Sequence, residues 1–199
     1  MNTDEYAHLN GKPPKGGNRV AASFGGFLLR LFKWKIQGQL PHYKKMVIAV
    51  APHTSNWDFF LGVAVLFVLR IRIKFLGKHS IFIPVFKQVL TRLGGIPVDR
   101  RATHGVVEQI TRAFNSHEAM ILAVAPEGTR SPVYPWKTGF LAVAQEARVP
   151  VLLIGFDFKL KTVIIGEIIY PSGDLNNDMQ KVYDFFKSIN AKYPSKVIT

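Results

Sequence analysis

Short apolar segments alternate along the chain with segments that have helical spacing. Each apolar segment is four to eight residues long, which suits a buried strand better than a helix. Strands that are apolar throughout and separated by helices are typical of a parallel sheet covered on both faces. We therefore expect one α/β domain with a mostly parallel or mixed sheet flanked by helices on both faces. The predicted strands are Met46–Ala51, Ile73–Leu76, Gly95–Val98, Met120–Ala125, Val149–Phe156 and Val163–Ile169, and the predicted helices lie near Asp58–Leu69, Pro84–Leu93, His104–Phe114, Gly139–Ala147 and Leu175–Lys192.

The beginning of the chain differs, and we divide it into an N-terminal segment, residues 1–40, and a domain, residues 41–199. Residues 10–18 are rich in glycine, proline and polar side chains, which predicts a loop or a mobile arm. Behind them an N-terminal amphipathic helix is expected within residues 23–37, with a basic polar side. Such a helix resembles an interfacial membrane anchor, although an ordinary helix packed on the core has the same pattern. Its expected apolar side comprises Phe24, Phe27, Leu28 and Leu31, and its polar side Arg30, Lys33 and Gln37.

Composition restricts the possible functions of this chain of 199 residues. Lysine and arginine number 26 against 13 acidic residues, and eleven of the thirteen excess positive charges lie in the first half. This imbalance indicates a polyanionic partner, which can be nucleic acid, an anionic membrane surface or a phosphorylated substrate. The absence of cysteine excludes disulfides, a cysteine nucleophile and thiolate metal sites.

Two further observations concern location. The longest apolar run, Phe59–Leu69, has 11 residues, whereas a helix that spans a bilayer needs roughly 20. Residues 1–18 lack the apolar segment of a secretory signal. We therefore expect a cytosolic or cytosol-facing location.

Polar residues that could carry chemistry follow four successive predicted strands. In open α/β sheets ligands bind beyond the carboxyl ends of the strands. These positions hold His53 and Asp58, then Lys78, then Arg100, and finally the turn Glu127-Gly128-Thr129-Arg130. If His53 precedes a helix and Asp58 lies in its first turn, the carboxylate could orient the imidazole so that its other nitrogen acts as a base. Otherwise His53 is a loop residue and Asp58 a helix cap.

No serine lies in the G-x-S-x-G frame of a nucleophile elbow. A histidine–aspartate pair without such a nucleophile indicates direct transfer, in which a substrate hydroxyl attacks an activated acyl carbonyl. The basic residues then have a use: Arg100 and Arg130 could bind a phosphate, and Lys78 could stabilise the developing oxyanion. Glu127 could hold an arginine, and Gly128 would permit a tight turn.

Four ordered motifs resemble those of the phospholipid/glycerol acyltransferase family, whose best-known members are the 1-acyl-glycerol-3-phosphate acyltransferases. The resemblance implies an O-acyltransferase that moves a fatty acyl group from acyl-CoA or acyl-carrier protein to a hydroxyl of a lysophospholipid or glycerol-phosphate-type acceptor. It implies that His53 is the general base and Asp58 its partner. It also implies substrate-binding roles for Lys78, Arg100, Glu127, Gly128, Thr129 and Arg130. The motifs are His53-x4-Asp58, Gly95–Arg100, Pro126–Ser131 and Val149-Pro150.

The chain departs from the family pattern in three places. Leu153 stands where the fourth motif often has a second proline, and Ala125 stands where a large apolar residue commonly precedes the third motif. Typical members also have a longer hydrophobic N-terminus. We therefore expect peripheral association with an anionic membrane at its cytoplasmic face. No metal or cofactor is expected besides the acyl donor.

Two other functions fit parts of the sequence. The positive charge allows a basic nucleic-acid-binding module without enzymatic activity, but no nucleic-acid-binding signature accompanies it. A metal-dependent hydrolase could use His53 and Asp58 with His104 or His117. The last two lack close ligand spacing, which indicates surface histidines instead.

Overall fold

A computed structural model describes residues 3–98 and 103–197 of the chain. Every predicted strand and helix is present, with bounds close to those expected, except that the N-terminal helix ends at Leu31 and the last helix at Lys187 rather than Lys192. The helices are α1 (Arg19–Leu31), α2 (Trp57–Leu69), α3 (Pro84–Arg92), α4 (Thr103–Ser116), α5 (Gly139–Glu146) and α6 (Leu175–Lys187). The strands are β1 (Lys35–Gln37), β2 (Lys45–Ala51), β3 (Lys74–Lys78), β4 (Gly95–Val98), β5 (Met120–Val124), β6 (Val151–Asp157) and β7 (Thr162–Ile169).

The strands form one mixed sheet in the order β1-β7-β6-β2-β5-β3-β4. The five strands from β6 to β4 in that order are mutually parallel, β7 is antiparallel to β6, and β1 is parallel to β7. Every residue of β6 is buried, and β2 is nearly so, because both strands lie inside the sheet with helices on each side. This explains why they have apolar residues throughout rather than in alternation. The α/β fold with a mixed sheet is confirmed.

Helices cover both faces of the sheet, and β2 shows how its side chains divide between them. Successive residues of a strand point to opposite faces. Val47 and Ala49 belong to a hydrophobic cluster with α4, α5 and α6, whereas Met46 and Ile48 belong to a second cluster with α1 and α2. The sheet therefore separates two hydrophobic layers.

The polar stretch of residues 10–18 is a loop that is hydrogen-bonded to the domain. The Gly16 N–H donates to the Arg70 carbonyl at 2.8 Å, and the Arg72 N–H donates to the Pro14 carbonyl at 2.8 Å. Ahead of it, residues 3–9 form a 3₁₀ helix whose Tyr6 is buried in the core. Of the two alternatives expected for this stretch, the structure has the loop rather than the mobile arm.

Helix α1 packs on α2 through Gly25 and Leu29 and turns several large apolar residues outward. A Cβ atom on Gly25 would lie 2.7 Å from the Ala64 carbonyl oxygen, so the two helices approach closely at this glycine. Leu29 is the other buried residue of α1. The expected apolar side of the helix faces away from the core in large part. Its exposed apolar residues are Val20 (74% exposed), Phe24 (54%), Phe27 (58%) and Leu31 (58%).

The N-terminal helix is shorter than its apolar periodicity predicts. It begins after Asn18, whose side-chain oxygen accepts from the Ala21 N–H at 2.8 Å, and it ends at Leu31. Lys33 then adopts a φ of 60°, which takes the main chain out of the helix. The following residues, Lys35–Gln37, form β1 and pair with β7, so the expectation of a helix through residue 37 is wrong.

Candidate active site

The loops after β2 and β5 meet at one edge of the sheet because these strands are parallel neighbours. Ala49 of β2 lies in register with Val124 of β5, so the residues that follow each strand emerge side by side. His53 follows β2, and Glu127 follows β5. The topology therefore brings together two motifs that are 74 residues apart in the chain.

His53 and Asp58 form the central pair of this site. His53 Nδ1 lies 3.2 Å from Asp58 Oδ2, and the side chains are 23% and 2% exposed, respectively. Asp58 is in the first turn of α2, as the sequence suggested, and its carboxylate also accepts from the Ser55 N–H at 2.8 Å and the Ser55 hydroxyl at 3.0 Å. A carboxylate fixed in this way can hold a proton on Nδ1, which leaves Nε2 as the basic nitrogen of the imidazole.

Glu127 is buried beneath the His53 loop. Its Oε1 accepts from the His53 main-chain N–H at 2.7 Å, and the residue is 7% exposed. Its Oε2 is also buried and has no hydrogen-bond partner among the described residues. Burial raises the pKa of the carboxyl above its usual range, and the hydrogen bond from His53 opposes this shift.

The residues after Glu127 form a tight turn. The Gly128 N–H donates to the Ala125 carbonyl at 2.9 Å, and Gly128 has a φ of 63°, a left-handed conformation that glycine adopts without strain. Thr129 Oγ1 accepts from the Ser131 N–H at 3.2 Å, which stabilises the turn locally. Arg130 is exposed at its far side, where its guanidinium is accessible to a ligand.

Lys137 is a further cation at this turn that the residues selected from the sequence do not include. A Cβ atom on Gly128 would lie 3.0 Å from Lys137 Cδ and 3.5 Å from its Nζ, so the lysine side chain lies along the glycine. The Lys137 main-chain N–H donates to the Pro126 carbonyl at 2.9 Å. Six residues separate Arg130 from Lys137 in the chain, and the path of the loop brings Lys137 back to Gly128.

The other two basic residues expected at the site lie partly or wholly outside the described residues. Lys78 is the last residue of β3, which pairs with β5, so its main chain lies at the same edge of the sheet. The side chain of Lys78 and the whole of Arg100 lie outside the described part of the chain.

A second contact that the sequence did not indicate involves the C-terminal segment, residues 192–196. The Tyr193 N–H donates to Thr54 Oγ1 at 3.4 Å, and Lys196 Nζ lies 3.5 Å from the Thr54 carbonyl oxygen. Lys192 Nζ lies 4.6 Å from the ring centroid of Trp57, within cation–π distance. This segment therefore lies against the loop between His53 and Asp58.

A cavity of about 2400 Å³ extends from this edge of the sheet. His53, Asp58, Arg130 and Lys137 line its polar part. Apolar side chains of α2 and the adjacent strands line another part, among them Phe59, Val63, Leu66, Ile73, Ile154 and Phe156. The cavity thus contains positively charged groups that can bind an anion, and an apolar wall beside the candidate base His53.

The described residues contain no group of three or more histidine, cysteine, aspartate or glutamate side chains placed to bind a metal ion. Among the same residues, no helix combines the length and apolarity needed to cross a membrane.

Comparison with known proteins identifies the family of the chain. The acyltransferase family profile matches residues 33–156, which is more than half of the chain. No curated protein sequence matches with significance. Among solved structures, the fold is similar to that of the 1-acyl-sn-glycerophosphate (LPA) acyltransferase PlsC from Thermotoga maritima, with a TM-score of 0.55 and 19% sequence identity over 87% of this chain and 80% of that chain. The matched residues include the histidine, aspartate and Glu127–Arg130 motifs, and the chain therefore belongs to the acyltransferase family.

Proposed function

We propose that this acyltransferase moves a fatty acyl group from an acyl-CoA or acyl-carrier-protein thioester to a hydroxyl of a lysophospholipid or glycerol-phosphate-type acceptor. The observation that carries the proposal is the 3.2 Å contact between His53 and Asp58 in a cavity that also contains cations and an apolar wall. A base, an anion site and an apolar chain site are the three features that this reaction needs. Membership of the acyltransferase family favours this reaction over binding of nucleic acid.

The proposed reaction is a direct transfer with His53 as general base. Nε2 takes the proton of the acceptor hydroxyl while the hydroxyl oxygen attacks the thioester carbonyl carbon. The tetrahedral intermediate then collapses, the carbon–sulfur bond breaks, and the leaving thiolate takes the proton from the imidazolium. Asp58 stabilises the imidazolium that exists between these steps. Because imidazole supplies the base and the thioester is already activated, we expect no metal or cofactor to be needed.

The phosphate of the acceptor is proposed to bind at the turn after β5. Arg130 can donate two parallel hydrogen bonds to a phosphate, and the Lys137 ammonium adds a positive charge on the same cavity. We assign Arg100 the same role on the strength of the second motif alone. Lys78, which follows the second predicted strand, is proposed instead to stabilise the oxyanion that develops during acyl transfer. The tight conformation at Gly128 and Thr129 sets the direction in which the arginine leaves the turn.

The acyl chain is proposed to lie along the apolar part of the cavity. Phe59, Val63 and Leu66 lie on α2, in the turns that follow Asp58. A chain that lies against this wall would extend away from His53, with its thioester end beside the imidazole. Burial of each methylene contributes about 0.8 kcal/mol, so the wall can supply much of the donor affinity.

Activity assays with single substitutions test the base. Purified protein would be incubated with labelled acyl-CoA or acyl-carrier protein and a panel of lysolipid and glycerol-phosphate acceptors, with products identified by mass. H53A should lose acyl transfer by about 10²- to 10⁴-fold. H117A is the matched control, since His117 is an exposed histidine at the end of α4. Full activity in folded H53A would contradict the mechanism.

We also propose that the protein associates peripherally with the cytoplasmic face of a membrane through α1. The supporting feature is the row of exposed apolar residues that includes Phe24 and Phe27 on a helix otherwise packed against α2. The double variant F24E/F27E should lose binding to anionic phospholipid vesicles in a sedimentation assay. L160E adds a charge at another exposed apolar residue, 64% exposed in the β6–β7 turn, and should keep binding. Equal binding by both variants would place the membrane contact elsewhere.

A further inference from the structure

The carboxylate of Glu127 faces the His53 main chain and not the cavity. Pro126 and Gly128 both line the cavity on either side of it, whereas Glu127 does not. Its Oε1 lies 2.7 Å from the His53 nitrogen, and the residue is 7% exposed. A side chain in this position is shielded from a substrate that enters the cavity.

His53 is held at two separate points. Asp58, on α2, contacts its imidazole, and Glu127, on the turn after β5, contacts its main-chain nitrogen. The stretch between β2 and α2, residues 52–56, lies outside regular secondary structure, so the His53 N–H has no strand or helix partner. The bond to Glu127 therefore satisfies a donor that would otherwise lack one, and it joins the two loops of the site.

The same turn carries Arg130 only three residues later. The hydrogen bond from His53 to Glu127 consequently ties the main chain of the candidate base to the turn that carries the candidate phosphate-binding arginine. Direct transfer needs the distance between the base and the arginine to match the acceptor, because the hydroxyl must reach the base while the phosphate is bound.

We propose that Glu127 is a positioning residue that ties the His53 main chain to the Arg130 turn and does not itself contact substrate. This inference rests on the proposed acyl transfer, because it assigns Glu127 its role relative to the base of that reaction. It differs from the role that the motif resemblance implies, in which the glutamate belongs to the acceptor site.

The proposed role needs an acceptor oxygen rather than a charge. Burial favours the neutral form of the Glu127 carboxyl, whose pKa is raised for that reason, and a neutral acid still has a carbonyl oxygen that accepts from the His53 N–H. A glutamine also has such an oxygen. Its NH₂ group would replace Oε2, which is buried without a partner among the described residues, so E127Q should be impaired but only partly.

Steady-state kinetics on wild type, E127Q and E127A test the proposal. E127A should lose about 10²-fold in kcat because the base is displaced, and E127Q should keep a kcat at least about tenfold above that of E127A. The KM for the acceptor should stay close to the wild-type value in both variants. R130A provides the contrast, since it removes a proposed acceptor contact and should raise that KM. An acceptor KM that rises in E127Q as it does in R130A would overturn the proposal.

Amide hydrogen exchange at His53 gives a readout that needs no substrate. The His53 N–H should be protected in wild type and in E127Q, and it should exchange faster in E127A. Equal protection in E127A would overturn the proposal. If E127A does not fold, E127Q decides the question. Loss of protection at the His53 N–H in E127Q would then overturn the proposal. If wild type transfers no acyl group to any acceptor, the proposed function fails while the exchange result still decides whether Glu127 holds His53.

Discussion

Replacing Asp58 by asparagine separates the charge of this carboxylate from its hydrogen bonds. Asp58 Oδ2 contacts both the Ser55 main-chain N–H at 2.8 Å and His53 Nδ1 at 3.2 Å. A main-chain N–H can only donate, so the amide oxygen of the new side chain must take the Oδ2 position and its NH₂ group must turn towards the Ser55 hydroxyl. D58N therefore keeps the proton on Nδ1 but removes the negative charge beside the imidazole.

The cost of removing that charge follows from the distance. At 3.2 Å and an effective dielectric constant of about 20, two unit charges interact by roughly 5 kcal/mol. A neutral amide oxygen still contributes a hydrogen bond of about 1 kcal/mol, which leaves about 4 kcal/mol, or about 10³-fold in rate. Because the imidazolium forms only as the hydroxyl proton is transferred, the loss should fall on kcat and leave KM nearly constant.

The chain contains a matched control for this substitution. Asp178 of α6 is 2% exposed, and its carboxylate accepts from the Ser172 N–H at 2.7 Å and the Ser172 hydroxyl at 3.0 Å, as Asp58 does from Ser55. Lys181, not a histidine, is its charged partner. D178N should therefore lower the melting temperature without the 10³-fold loss. A kcat for D58N within about tenfold of that for D178N would refute the reasoning.

Three further predictions concern the turn after β5. R130A should raise the acceptor KM by roughly 10- to 100-fold, which is the loss expected for hydrogen bonds from a charged group. K159A, at an exposed lysine far along the chain, is the control and should leave that KM unchanged. Unchanged saturation kinetics in R130A would show that the arginine does not bind the phosphate. G128A should lose about 1–2 kcal/mol of stability, because Gly128 has a φ of 63°. G139A should not, because a Cβ atom on Gly139 would meet open space and Gly139 has no positive φ. Equal melting temperatures for the two variants would contradict this prediction. Burial raises the pKa of Glu127, so its carboxyl contributes stability below its ordinary pKa of 4.5 that is lost as the pH rises through the folded-state pKa. Urea unfolding should then show that the free energy of unfolding of wild type falls relative to that of E127Q as the pH rises above about 4.5. A rise of the wild-type value relative to E127Q over the same pH range would contradict this prediction.

The sequence predicts well those elements in which burial determines the pattern of apolar and polar residues. β2 and β6 lie inside the sheet, so their continuous apolar runs follow from burial on both faces. β1 escaped prediction because it is a three-residue edge strand in which only Ile36 is partly buried. Its neighbours Phe32 and Trp34 continue the apolar spacing of α1, which made a longer helix the expected structure. The edge strand forms because β7 pairs with its main chain, and the position of β7 depends on the tertiary fold.

The sequence predicted the contact of His53 with Asp58, which follow the same strand, but not the contacts between loops. His53 and Glu127 were selected because each follows a buried strand, and the structure brings their loops together. The sequence did not predict which strands are neighbours: β2 lies between β5 and β6 and not beside β3, the next strand in the chain. The contact of the Glu127 carboxylate with the His53 main chain, like the position of Lys137, depends on that strand order and on the course of the loops.

Helix α2 links the candidate base to the exposed apolar surface of α1. Its first turn contains Asp58, its side facing the cavity includes Phe59 and Leu66, and its other side receives α1 at the close contact between Gly25 and the Ala64 carbonyl. Because one rigid helix makes all three contacts, a membrane bound by α1 would lie in a fixed orientation relative to His53. The apolar side chains of α2 that line the cavity lie on the helix that α1 packs against, so membrane binding and the position of the proposed acyl site would depend on the same helix.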